Sequence, residues 1–249
     1  MGGAYNMAVQ YKTLNYNSWN ELKRDITKDI CGSDCFPYNR YVFRGQRDEN
    51  WKLSTTFDRK YGNYTFDERK KIENSLIENF KDLCVTWEGK ERFTDYSKEQ
   101  LMSIGQHYGL PTRLLDWTFS LYVAAFFAFS DTENITPNIV IWALDTQHEV
   151  WNAGYGVSLE NIKVEENDRQ RYQYGIFTLN NSPSKTIEDY LETCAKDHVV
   201  DGALYKVILS NKEKRTVLND LEMMGINSFN IYRGMEGCAK AAILREFMR

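Results

Sequence analysis

The sequence predicts an α+β fold: one domain with a central, mostly antiparallel sheet flanked by helices. Three observations carry this expectation. Helical and extended segments mix irregularly along the chain, whereas a doubly wound parallel sheet requires strand and helix to alternate. Two near-continuous apolar runs, Ile139–Leu144 and Ala203–Leu209, have strand character, the second with Tyr205, Val207 and Leu209 on one face. The chain has 249 residues, 42% hydrophobic and 27% charged, enough to build its own core, and no internal repeat or low-complexity linker divides it. Residues 1–18 read as an N-terminal extension and 19–249 as the domain.

The elements follow in order. Ser18 with Glu21 has the capping-box pattern and opens a helix to about Ile30. Gly32–Arg40 reads as a loop, and Tyr41–Arg44 as a short strand ended by Gly45. Thr65 with Glu68 opens a long amphipathic helix on which Ile72, Leu76, Phe80, Leu83 and Trp87 recur at helical spacing. Ser97 with Gln100 opens another, stopped by Gly109 and Pro111. Thr112–Leu115 is extended, and Asp116–Thr118 caps an apolar helix over Leu121–Phe129. Further helices run from Thr186 to about His198, from Ser210 to Gly225, and around Glu236–Phe247.

Charge and cysteine content narrow the class. A net charge of −4 lacks the basic footprint of a duplex-DNA binder but leaves room for a local phosphate site. Five cysteines, an odd number without regular spacing, read as free and mostly buried thiols. Neither Cys31 with Cys35 nor His107, His148 and His198 has metal-ligand or hydrolytic-triad spacing, so no metal is expected. The start lacks a basic region followed by an apolar run, and Leu121–Phe129 is too short to cross a bilayer. The expected setting is the cytoplasm, with no membrane partner.

Two segments concentrate chemistry. In Phe43-Arg44-Gly45, a guanidinium at a strand end stands beside a residue without Cβ, which suits close approach of a phosphate or carboxylate; a structural ion pair beside a turn glycine is the plainer alternative. Gln106–Thr118 packs amide, imidazole, phenol, guanidinium, carboxylate, indole and hydroxyl groups into one turn between apolar elements, where each needs a partner or a ligand. Asp116 is read as a helix cap paired with Arg113, bracing the pocket. The two segments are expected to meet around one cleft.

These segments, FRG and QHYGLPTRLLDWTFSLYVAAFFAF, together with Arg171–Phe177, Asn50–Leu53 and IYRGMEGCAKAAI, resemble the bacterial FRG domain family between about Tyr41 and Ala242. A weaker similarity links Phe43-Arg44-Gly45 and Val123–Ala128 to the ADP-ribosyltransferases, with Asp116-Trp117-Thr118 standing where those enzymes carry Ser-Thr-Ser. That similarity implies an ADP-ribosyltransferase-like fold and NAD as substrate. It also implies NAD-binding roles for Arg44, Gly45, Gln106, His107, Tyr108, Arg113 and Gln173, and catalytic roles for Thr118 and Glu236. Glu236 is the one late acid available where those enzymes carry Glu-x-Glu, and the start of a helix is its plainer reading. The implied activity is NAD-dependent modification of a macromolecular acceptor or NAD hydrolysis, of the kind used by toxins and phage-defence effectors, with an inhibitory protein partner possible. The alternatives are a non-catalytic module that binds a nucleotide or nucleic-acid end through Arg44 and Arg113, and a protein-interaction domain.

Overall fold

The computed structural model describes residues 11–89, 92–132, 136–164, 175–232 and 234–248. Among them are seven strands: β1 (Lys12–Tyr16), β2 (Tyr41–Gln46), β3 (Leu114–Thr118), β4 (Asn138–Asp145), β5 (Val157–Glu160), β6 (Gly175–Asn180) and β7 (Leu204–Ser210). They form one sheet in the order β1-β7-β4-β2-β3-β6-β5. Only the β1–β7 pairing is parallel; the other five are antiparallel, as the sequence predicts.

The helices are α1 (Trp19–Cys31), α2 (Thr56–Tyr61), α3 (Phe66–Glu88), α4 (Arg92–Asp95), α5 (Lys98–His107), α6 (Leu121–Phe129), α7 (Ile187–Cys194), α8 (Lys214–Met223), α9 (Ser228–Tyr232) and α10 (Gly234–Met248). Their starts follow capping chemistry. Thr65 and Ser97 head complete capping boxes with Glu68 and Gln100, while Ser18 accepts from the Glu21 N–H and the Glu21 carboxylate accepts from the Asn17 N–H. None of these helices is long and apolar enough to cross a membrane.

Strand alternation divides the apolar side chains between the faces of the sheet. Tyr41, Phe43, Ile141 and Val207 pack on one face with α1, α6 and α8. Val42, Val140, Trp142 and Leu144 pack on the other with Ile187, Tyr190 and Leu191 of α7. A third cluster joins Leu114, Phe177 and Leu179 to Leu101, Met102 and Ile104 of α5.

Four expectations are corrected here. β2 does not end at Gly45 but runs on to Gln46. A Cβ on Gly45 would lie 1.8 Å from the carbonyl oxygen of Ala124, so this glycine lets the backbone of α6 lie against the strand. That close packing by itself requires a residue without Cβ at this position. The cap of α6 is Ser120, whose hydroxyl accepts from the Val123 N–H, because Asp116 lies mid-strand in β3. On α3, Ile77 is buried while Leu83 and Trp87 are exposed, so the helix tip reaches past the core it was expected to cover. The cysteines are free, yet only Cys194 is buried.

Candidate active site

The site arises where the sheet opens. β2 and β3 share a single bridge, Phe43 with Thr118. Beyond it Gly45 and Gln46 stay paired with Ile141 and Val140 of β4, and Leu114–Trp117 stay paired with β6. The side chain of Arg44 stands at this split and donates from Nη1 to the main-chain oxygen of Asp116 at 2.7 Å. A cleft of about 1150 Å3 lies over the opening, walled by the loop after β2, by α2 and α5, by the start of β6, and by α9 and α10.

Its lining includes Arg44, Asp116 and Gln106. The Arg44 guanidinium is 3.9 Å from the Asp116 carboxylate, and Gln106, near the end of α5, donates from Nε2 to Asp116 Oδ2 at 2.9 Å. The Thr112 hydroxyl donates to Gln106 Oε1, which fixes the amide orientation and directs its N–H groups at Asp116. Asp116 keeps 60% of its side-chain surface accessible and lines the cleft. Desolvation there raises the Asp116 pKa above the ordinary carboxylate value, with Arg44 and the Gln106 hydrogen bond pulling the other way. Desolvation lowers the Arg44 pKa; Asp116 opposes this, and the nearby Arg59 charge adds to it. Arg44 Nε is buried without a hydrogen-bond acceptor among the described residues.

Among the described residues, five Arg and Lys side chains line the cleft: Arg44, Arg47, Lys52, Arg59 and Lys240. Four of them lie within ion-pair reach of a carboxylate: Arg44 of Asp116, Arg47 of Asp131, Lys52 of Asp189 at 3.2 Å, and Lys240 of Glu236 at 3.9 Å. Arg59 has none among the described residues; its Nη1 donates to the Ser54 carbonyl. Trp51 adds an indole that is 45% exposed, with the Arg47 guanidinium 4.6 Å from its centroid.

The two motif segments thus meet, but not all their side chains enter the cleft. Arg44, Gly45, Gln106, His107, Asp116 and Thr118 line it. Thr118 is 4% exposed and its hydroxyl accepts from the Ser120 N–H. Tyr108 caps α5, is 76% exposed, and lies outside the lining.

Arg113 is not Asp116's partner. Arg113 lies in the bend that precedes β3 and not in the strand that carries Asp116. Arg113 is fully buried behind β3, donates to the Ser182 carbonyl at 2.8 Å and lies 3.7 Å from Asp58. Arg69 contacts the same Asp58 carboxylate at 2.7 Å. Glu236 occupies the first turn of α10, pairs with Lys240, and is not among the residues lining the cleft. Gln173 lies outside the described residues.

Arg47, Trp51 and Arg59 escape the sequence reading as site residues. Arg47 and Trp51 follow β2 closely, which is the one signal that marks them. Arg59 sits on a six-residue helix that no periodicity reveals.

The fold and cleft define a mixed α/β, single-sheet protein whose candidate site is assembled around a split between two central strands. The FRG domain family model matches residues 39–136. That stretch contains Arg44, Arg47, Trp51, Arg59, Gln106 and Asp116, so the match supports the FRG resemblance over the segment that builds most of the site. Neither the curated proteins nor the solved structures give a match.

Proposed function

We propose that the cleft binds an NAD-type dinucleotide and that the chain breaks its nicotinamide–ribose bond, passing ADP-ribose to water or to a macromolecular acceptor. The observation that carries this reading is the Arg44–Asp116–Gln106 group in a cleft whose described lining has more cationic than acidic side chains. Glycosidic cleavage passes through an oxocarbenium-like state, which a nearby carboxylate stabilises. The C1′–N bond breaks with both electrons leaving on nicotinamide, which departs neutral. A hydroxyl oxygen of water or acceptor bonds to C1′ and gives up its proton, which Asp116 accepts. In this reading Asp116 takes the role that sequence similarity assigns to Glu236, because Asp116 faces the cleft. Arg44 and Arg59 hold the pyrophosphate. Such an activity suits a toxin or phage-defence effector.

A second reading, a nucleotide-binding module without catalysis, is favoured by the position of Glu236 outside the cleft lining. One experiment separates the two. Wild type and Asp116→Asn are incubated with NAD, free nicotinamide is followed by chromatography, and NAD affinity is measured by calorimetry. The enzymatic reading expects nicotinamide release by wild type and a fall of roughly 10²–10⁴-fold in Asp116→Asn with binding retained. Binding without any release leaves the second reading.

A further inference from the structure

We infer that the cleft contains a nucleotide-recognition subsite in which Trp51 stacks a nucleobase and Arg59 takes the phosphate joined to it. The inference deepens the proposed function and rests on it only for the identity of the complete substrate.

Trp51 holds a large apolar ring in the cleft at 45% exposure. An indole is normally buried for its apolar area and its N–H bonded, yet Trp51 Nε1 has no hydrogen-bond partner among the described residues. The ring is nevertheless held in place. Arg47 stacks on it at 4.6 Å and is itself fixed, its guanidinium by Asp131 and its carbonyl by the Thr136 hydroxyl. The loop beneath is anchored at both ends. The Trp51 N–H donates to the Asp48 carbonyl at 3.2 Å, and the Leu53 N–H donates to the buried Glu188 carboxylate at 3.0 Å. A rigid, exposed aromatic face that costs no ordering on binding is what a stacking platform requires.

Arg59 supplies the second half. It is the one Arg or Lys of the cleft without a carboxylate partner among the described residues, so an incoming phosphate displaces no internal anion from it. Its anchor, the Ser54 carbonyl, is three residues along the chain from Trp51. Three residues keep the two backbone positions within about 10 Å of each other, and the Trp51 and Arg59 side chains line the same cleft. A single nucleotide, its base and 5′-phosphate joined by one ribose, is therefore the size of ligand that engages both. Sugar phosphates lack the ring that Trp51 would take, and free nucleosides lack the anion for Arg59. The ligand class is therefore a nucleoside 5′-phosphate or the corresponding half of a dinucleotide.

The test is titration calorimetry of AMP, adenosine and ribose 5-phosphate against wild type, Trp51→Ala, Trp51→Phe and Arg59→Gln, with thermal melts confirming that each variant is folded. AMP should bind wild type more tightly than either fragment. Trp51→Ala should weaken AMP and adenosine by roughly tenfold or more while leaving ribose 5-phosphate unchanged, and Trp51→Phe should restore most of the loss. Arg59→Gln should weaken AMP and ribose 5-phosphate and spare adenosine. The inference is overturned if wild type shows no AMP binding, or if AMP binds equally to all four proteins. Nicotinamide release is followed in parallel on the same samples. The AMP pattern without NAD cleavage keeps the subsite and removes the reaction, whereas NAD cleavage with an unchanged KM in Trp51→Ala keeps the reaction and removes the subsite.

Discussion

At the scale of single residues, Asp116 and Arg113 show how far two charges of one motif can diverge. Arg113 shares the Asp58 carboxylate with Arg69 in a fully buried group, and both guanidiniums also approach the Phe66 ring. Arg113 Nε and Nη1 have no acceptor among the described residues, and Asp58, ahead of the buried Glu73, is the main charge that compensates Arg113. Asp58→Asn should therefore cost about 3–5 kcal/mol in urea unfolding, the loss that follows when a buried charge is left unpaired. Asp116 is largely accessible and 3.9 Å from its partner, a screened pair worth about 0–1 kcal/mol. Asp116→Asn should keep nearly the wild-type urea midpoint while losing activity; a large fall in stability would make Asp116 a scaffold residue. Its raised pKa also fixes a direction. The reaction needs the carboxylate ionised, so the rate should climb with pH through a limb displaced above the ordinary Asp value of about 3.9, and the limb should vanish from the residual activity of Asp116→Asn. For stability the sign is opposite: a raised pKa favours the fold below the unfolded-state value and loses that contribution as pH rises through the folded-state value. Arg44→Lys should weaken NAD binding almost as much as Arg44→Ala, because an ammonium lacks the planar fork that reaches Asp116 and a phosphate together. Wild-type affinity in Arg44→Lys would show that charge alone is used.

At the scale of elements, the contact of β2 with α6 positions the site. α6 is apolar on every side and lies against the strand at Gly45, so it holds the strand end that presents Arg44. Gly45→Ala would drive a methyl group into the Ala124 carbonyl, and main-chain atoms yield less readily than a side chain. The expected loss is at least the ~1–3 kcal/mol of ordinary overpacking, with the cleft displaced and nucleotide affinity lost in step; calorimetric melts and AMP titration check both. A variant as stable as wild type would show that α6 can retreat. Ser120→Ala removes the one side-chain cap of the same helix and should cost about 1 kcal/mol. It leaves helix and strand in register, so its AMP affinity should stay at the wild-type value.

At the scale of the molecule, the cleft is walled by segments distant in sequence, from Phe43 in β2 to Leu244 in α10. A ligand that touches several of them binds only when the chain is folded, so it must raise global stability. At a hundred times Kd the gain is about 2.7 kcal/mol, and a chain of this size moves by roughly 2–4 °C in Tm for each kcal/mol. Differential scanning of wild type with AMP should show an upward shift of that order, and Arg59→Gln at the same AMP concentration should show much less. An equal shift in both would place the nucleotide elsewhere on the surface.

The sequence by itself determined the class of fold, the antiparallel character of most of the sheet, and the starts of α1, α3 and α5. These follow from short-range rules: a hydroxyl that caps the next turn, an apolar run that fills a strand, a glycine or proline that ends a helix. It also marked the two segments that meet at the site, because crowded polar groups between apolar elements stand out in one dimension. The tertiary structure alone decided which side of the sheet each of those groups takes. Asp116 faces the cleft because β3 runs through Thr118, where a helix cap was expected, whereas Arg113 lies in the bend before β3 and is held in the interior by the Ser182 carbonyl and Asp58. Gly45 serves α6 because that helix returns to pack on its strand. Arg59 became a cleft residue because the short α2 folds over the split between β2 and β3, a long-range arrangement that no local pattern encodes. Local rules fix what each segment becomes; which charges meet is set by packing between segments far apart in the chain.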